Sequence, residues 1–274
     1  MNAIPPHPSE HIGTTQNWLR RLSTGPTHRT ALLCLPFAGG AAPWFAPLAT
    51  RLASLGCAAD VVAVQYPGRQ DRYRERPIDD LHVLASELHR HWITSAYAGT
   101  EVVVFGHSMG AALGFEFVRR LTDSSPGAVR GLIVSGRRAP TCVRPERASD
   151  LSDTEFVDFV VGLGGSDARL AADPDLRELV LPALRSDYTA IEDYRTDPAA
   201  RVAVPVAVYA GRADTETTPA ELSAWRHHTD LPIRTRLFDG GHFFVAEQAA
   251  AVTEAIASDI TTMTTRRLPE VPGW

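Results

Sequence analysis

The chain has 274 residues, 44% hydrophobic and 22% charged, which is long and apolar enough for one large domain with a buried core and too apolar for a disordered chain. A formal net charge of −5 provides no basic field for nucleic acid, and no apolar run approaches the roughly 18 to 20 residues that span a bilayer. All 27 basic residues are arginine, which excludes Schiff-base lysine chemistry and a P-loop lysine.

In chain order, residues 1–17 carry Pro5, Pro6 and Pro8 without a basic leader or the apolar core of a signal peptide. They are expected to form a flexible tail on a cytoplasmic protein. Apolar, β-branched runs then recur at Ala31 to Leu35, Asp60 to Gln65, Val102 to Phe105, Gly131 to Ser135, Val204 to Ala210 and Ile233 to Phe238. Bounded by Gly and Pro, they read as buried parallel strands. Between them, Pro47 to Leu55, Leu81 to Ala96, Ala111 to Leu121, Pro219 to His227 and Glu247 to Met263 have helical spacing or composition. The alternation predicts an α/β fold, a doubly wound, mostly parallel sheet. One stretch interrupts it. From 140 to 198 the sequence holds helix-like pieces, Ser152 to Leu163, Asp173 to Ser186 and Tyr188 to Tyr194, with Ser152 and Glu155 spaced as a capping box. The expected organisation is a core of residues 18–139 and 199–274 with a helical lid at 140–198. Cys34, Cys57 and Cys142 have no metal-ligand spacing and read as small buried hydrophobes.

The chemistry centres on Gly106-His107-Ser108-Met109-Gly110, set between a strand-like run and a helix-like one. A G-x-S-x-G turn of this kind exposes its serine above the sheet. Ser108 needs a general base, and the base needs a carboxylate to orient it. Of ten histidines only His242 lies in a loop shaped for the task, after the last predicted strand and behind Gly240 and Gly241. His107 is expected to point away from Ser108. The acid should follow the strand ending at Ala210, where Asp214 is the first choice and Glu216 the second; Asp239 is too close to His242 in sequence and reads as a turn residue. The order Ser108, Asp214, His242 is that of α/β hydrolases. Backbone N–H donors for an oxyanion are expected from Met109 and, in the glycine-rich turn after the first strand, from Ala38, with Phe37 as the alternative. Tyr188, Phe159 and Trp44 are candidates to line an acyl pocket, against the reading of aromatic core.

With these residues in place the chain resembles the type II thioesterases, editing enzymes that accompany modular polyketide and nonribosomal peptide synthases. The resemblance rests on Leu35 to Gly40 (LPFAGG), Gln65 to Arg69 (QYPGR), Phe105 to Gly110 (FGHSMG), Ser135 to Pro140 (SGRRAP), Leu181 to Tyr188 (LPALRSDY) and Gly240 to Phe244 (GGHFF). It implies an α/β-hydrolase fold and hydrolysis of acyl thioesters from the phosphopantetheine arm of an acyl or peptidyl carrier protein. It also implies no cofactor beyond that arm, which belongs to the partner. Arg69, Arg72, Arg74 and Arg76 form one arginine cluster and Arg137, Arg138, Arg144 and Arg147 another; the second is a candidate dock for the acidic carrier or its phosphate, against a solvated surface. The triad alone also accommodates a small-molecule esterase or peptidase, and a non-catalytic scaffold on the same fold is the reading from another class.

Overall fold

The computed structural model describes residues 15–24, 27–165 and 169–265; most of the expected N-terminal tail, residues 1–14, lies outside them. Six β-branched runs become parallel strands: β2 (Thr30–Leu35), β3 (Ala59–Val64), β4 (Glu101–His107), β5 (Val129–Ser135), β6 (Val206–Gly211) and β7 (Arg234–Phe238). A seventh strand, β1 (Leu19–Arg21), pairs antiparallel with β3 at one edge. The sequence reading has no strand there, because three residues are too few to show an alternation. The order across the sheet is β1-β3-β2-β4-β5-β6-β7.

Burial follows the period of two that a sheet covered on both faces requires. Leu33, Leu35, Val62, Val64, Val104, Leu132 and Val208 face one side, against α2 (Leu81–Ile93) and α3 (Met109–Ser124). Leu32, Cys34, Val61, Val103, Phe105, Ile133 and Tyr209 face the other, against α1 (Ala46–Ser54) and α7 (Ala249–Thr265). The five inner strands, β2 to β6, therefore read as predominantly apolar runs, since both their faces are covered, whereas β1 and β7 at the edges carry arginine and are partly exposed.

Between β5 and β6 the chain forms α4 (Asp153–Gly162) and α5 (Pro174–Asp193), followed after β6 by the short α6 (Pro219–Ser223). Ser152 and Glu155 make the expected capping box at the start of α4. The two pieces read separately as Asp173 to Ser186 and Tyr188 to Tyr194 are one helix. Asp173 caps it through the N–H groups of Asp175 and Leu176, and Pro182 stands within it without ending it. Phe156, Val157, Val160, Leu170, Leu181 and Leu184 form a third hydrophobic cluster, separate from the two sheet faces.

The strand order places the functional loops. After β2 the chain adds β3 on one side, then returns to lay β4 on the other, so the loops leaving the C-terminal ends of β2 and β4 diverge around a crevice. Crevices at such reversals are where open α/β sheets bind ligands.

Candidate active site

Ser108 follows β4 with φ 53° and ψ −117°, a left-handed conformation that a non-glycine residue adopts only when its surroundings impose it. The imposition is visible. The Ser108 N–H donates to the Ser135 carbonyl at 2.8 Å, and its own carbonyl accepts from the Ala111 N–H at 3.0 Å as α3 begins. Gly106 and Gly110 make room for the turn. A Cβ on Gly106 would lie 2.0 Å from the Gly110 carbonyl oxygen, and one on Gly110 would lie 2.1 Å from that of Leu35. The second contact ties the turn to the end of β2, so the Leu35 to Gly40 loop sits against the start of α3.

His242 and Asp214 come from the two loops after β7 and β6. These are joined by backbone hydrogen bonds from Arg212 N–H to the Phe238 carbonyl (2.8 Å) and from Ala213 N–H to the Gly240 carbonyl (3.0 Å). The imidazole Nδ1 lies 3.1 Å from each Asp214 carboxylate oxygen. It is Asp214, and not Glu216, that meets the ring; Glu216 instead donates its backbone N–H to Asp214 Oδ1 at 2.8 Å, and the Thr217 hydroxyl donates to Oδ2 at 3.2 Å. With both oxygens occupied and the pair 7% and 8% exposed, the imidazole is held in one orientation with Nε2 free to act. Asp239 is in the turn, paired at the surface with Arg212 at 3.3 Å.

Ser108 and His242 open into one narrow cavity with Phe37, Ala38 and Phe243, and the inserted helical region closes it with Val160, Leu163 and Tyr188. The hydroxyl and the imidazole share this cavity without a hydrogen bond between them; contacts of this kind tighten in the complex with substrate. Met109, fully buried, begins the 16-residue α3, where its N–H belongs to the unpaired first turn. Of the aromatic candidates, Tyr188 lines the cavity. Phe159 packs on Tyr188 with ring centroids 6.0 Å apart, and Trp44 lies behind Phe37 at 5.2 Å.

His107 is fully buried with its ring 5.2 Å from that of His242, between Trp44 and Phe243. Burial, with the neighbouring His242 adding to it, pushes its pKa well below that of a free histidine. It is a neutral ring at ordinary pH, so it supports the imidazole without competing for its proton. The arginine clusters are only partly exposed: Arg74 and Arg76 stand in solvent, and the rest are buried or half-buried. Arg69 and Arg72 are 8% and 3% exposed; Arg144 pairs with Glu221 (2.9 Å) and Arg147 with Asp193 (2.5 Å). Among the described residues no group of three His, Cys, Asp or Glu side chains is placed to hold a metal ion, and no helix is long and apolar enough to cross a membrane.

A thioesterase-domain family model matches residues 30–263. A probable cadicidin biosynthesis thioesterase of Streptomyces griseus is 41% identical over 244 residues, 89% of this chain and 66% of that protein. The thioesterase PikA5 of Streptomyces venezuelae is 36% identical over 260 residues, 92% of this chain and 88% of the relative. Among solved structures, the type II thioesterase BorB from the borrelidin biosynthetic cluster matches with a TM-score of 0.78 at 39% identity, covering 88% of this chain and 97% of that one. The chain belongs to the thioesterase family and has the α/β-hydrolase fold of its type II members.

Proposed function

We propose that this thioesterase releases acyl groups from the phosphopantetheine arm of acyl or peptidyl carrier proteins, in the cytoplasm, as part of polyketide or nonribosomal peptide biosynthesis. The observation that carries the reading is one cavity holding a serine at a strained strand-to-helix turn and a buried imidazole already bonded to a carboxylate. That the two named relatives are thioesterases, one of them a probable thioesterase of cadicidin biosynthesis, supports the choice of a thioester.

In this reading Ser108 is the nucleophile, His242 the general base and Asp214 its partner. His242 takes the hydroxyl proton as Ser108 attacks the thioester carbonyl, and the amides of Ala38 and Met109 receive the oxyanion. Collapse of the tetrahedral intermediate breaks the C–S bond, and the imidazolium returns the proton to the departing sulfur. Thiolate is a good leaving group, so this step demands less of the acid than amide cleavage does. Water, deprotonated by His242, then attacks the Ser108 ester, and as the Oγ–acyl bond breaks the imidazolium returns that proton to the serine oxygen and the free acid leaves. Protein groups and water balance both halves, and no cofactor is called for. Residues 140–198 act as a lid, Val160, Leu163 and Tyr188 closing the cavity and keeping water from the acyl-enzyme until the thiol has left.

The test is release of a short acyl group from a phosphopantetheinyl carrier protein beside the oxoester of the same acid, with wild type and Ser108→Ala. Turnover of the carrier thioester should exceed that of the oxoester and vanish in the variant. Undiminished turnover by Ser108→Ala removes the triad, and a preference for the oxoester overturns the carrier-protein role.

A further inference from the structure

Two of the sequence motifs, Gln65 to Arg69 and Leu181 to Tyr188, supply none of the reacting groups, yet they meet beside the site. Arg69 lies in the loop after β3 and Asp187 on α5, and both are buried, at 8% and 1% exposed. The guanidinium grips the carboxylate at two points, Nη1 to Oδ2 at 2.5 Å and Nη2 to Oδ1 at 2.8 Å. The same Oδ2 accepts the backbone N–H of Gly39 at 2.7 Å, and Arg69 Nη1 reaches the Gly40 carbonyl at 3.3 Å. The pair thus holds the turn Phe37 to Gly40, closed by the Gly40 N–H donating to the Phe37 carbonyl at 2.8 Å, with Gly39 at φ 77°. That is the positive φ required at the third position of a type II turn. Tyr66 holds the preceding residue, its hydroxyl donating to the Pro36 carbonyl at 3.1 Å. Helix α5 rests directly on the turn, for a Cβ on Gly39 would lie 2.6 Å from a Leu184 methyl carbon.

A buried ion pair is a poor device for stability alone, since an apolar pair of similar volume commonly does as well or better. What this pair adds is a bond to one particular backbone amide, adjacent to Ala38. Burial works against the Arg69 charge, but Asp187 more than offsets it, and the guanidinium stays more firmly protonated than in water.

We propose that Asp187 and Arg69 are positioning residues that hold the Ala38 amide where the oxyanion forms, and that they make this hole conditional on α5 lying across the site. The inference rests on the reading of Ala38 as an oxyanion donor. When α5 is docked, the carboxylate that fixes Gly39 is in place; when α5 lifts, the turn loses that acceptor. Covering the substrate and completing the hole are then a single event.

The experiment compares wild type, Asp187→Ala, Asp187→Asn and the double variant Asp187→Ala with Arg69→Met, on an acyl-phosphopantetheinyl carrier protein, with kcat, KM and thermal midpoint for each. Loss of one positioned oxyanion donor costs about 100-fold or more, so a donor loosened but not removed should lower kcat of Asp187→Ala by roughly 30-fold, with KM changed by less than about threefold. Asp187→Asn keeps an acceptor for Gly39 and should recover to within about fivefold of wild type, although it melts as low as Asp187→Ala because both leave Arg69 buried without its counter-charge. The double variant removes both charges and should melt near wild type while remaining as slow as Asp187→Ala; it also provides the comparison should Asp187→Ala not fold. Activity that follows the melting temperature across the set, or a double variant as fast as wild type, overturns the proposal. Ser108→Ala in the same assay separates the two failures: if it stays active the triad falls, and if it is dead while the Asp187 variants are unimpaired only the positioning role falls.

Discussion

Adding one methyl group at Gly110 should damage catalysis more than stability. The Cβ of Gly110→Ala would stand 2.1 Å from the Leu35 carbonyl oxygen, 2.7 Å from its carbon and 2.8 Å from the Pro36 carbonyl oxygen, against 3.4 Å for an ordinary contact. All three atoms are backbone, so no side chain can swing aside, and the end of β2 must separate from the start of α3 by about 1.3 Å at the tightest point. Overpacking of this kind costs about 1–3 kcal/mol. At roughly 2–4 °C per kcal/mol for a chain near this size, the thermal midpoint should fall by roughly 2–12 °C. The displacement acts directly on the geometry of the proposed oxyanion hole, because Leu35 and Pro36 lead to Ala38 while Gly110 follows Met109. A shift of about 1 Å between two donors that must converge on one oxygen costs about 100-fold in rate. The assay is kcat on the carrier thioester at a temperature where calorimetry shows the variant folded, beside Gly162→Ala, whose Cβ meets nothing within 4 Å. The control should be as active as wild type. A folded Gly110→Ala with kcat within twofold of wild type would show that the two loops are not as tightly coupled as the contact implies.

Asp214→Asn should fold normally yet lose about 10³-fold to 10⁴-fold in kcat, because an amide in place of the carboxylate favours the wrong imidazole tautomer; a loss below tenfold, measured with the carrier thioester, would reassign the acid. His91 is buried against Trp18 with Arg90 donating to its Nε2 at 2.9 Å, and burial first, then the guanidinium, lowers its pKa to about 4. Below the free-histidine value of 6.5 the unfolded chain takes up a proton that the fold refuses, so stability falls as pH drops, by about 2 kcal/mol at pH 5 relative to neutral. His91→Phe should flatten the dependence between pH 7 and pH 5 by that amount in denaturant titrations, and an unchanged slope would refute the assignment. Asp259, 2% exposed, accepts the Tyr209 hydroxyl at 2.6 Å and is paired with Arg234 and Arg236 at 3.0 and 2.8 Å. Asp259→Ala orphans a buried hydroxyl and should cost about 3 kcal/mol without altering kcat, which chemical denaturation beside the activity assay will check.

The parts of the fold that were legible in the sequence are those governed by local periodicity. Strands buried on both faces announce themselves as runs such as Val102 to Phe105, and the capping box at Ser152 marks a helix start without reference to anything distant. Ser108, Asp214 and His242 could be picked out as candidates because each occupies the loop after a recognisable strand. What escaped depends on tertiary contact. Strand β1 takes its conformation from pairing with β3, and α5 runs unbroken through Asp187, whose carboxylate is engaged by Arg69 and Gly39, far away in sequence. The sequence reading turns His107 away from Ser108 but does not bring its ring to 5.2 Å from that of His242, a contact made across the sheet's loops. Arg69 and Asp187 both lie inside motifs that carry the family resemblance; the signal for their pairing was an arginine in one motif and an aspartate in the other, neither of them a reacting group.

Both ends of the sheet carry arginine. Arg20 and Arg21 occupy β1 at one edge, paired with Asp71 and Asp60, and Arg234 and Arg236 occupy β7 at the other. A strand approaching either edge to extend the sheet would have to lie alongside these charged side chains and disturb the ion pairs they make. Self-association through open strand edges, the usual hazard of a sheet with free ends, is opposed at each margin by side chains already committed to partners within the chain.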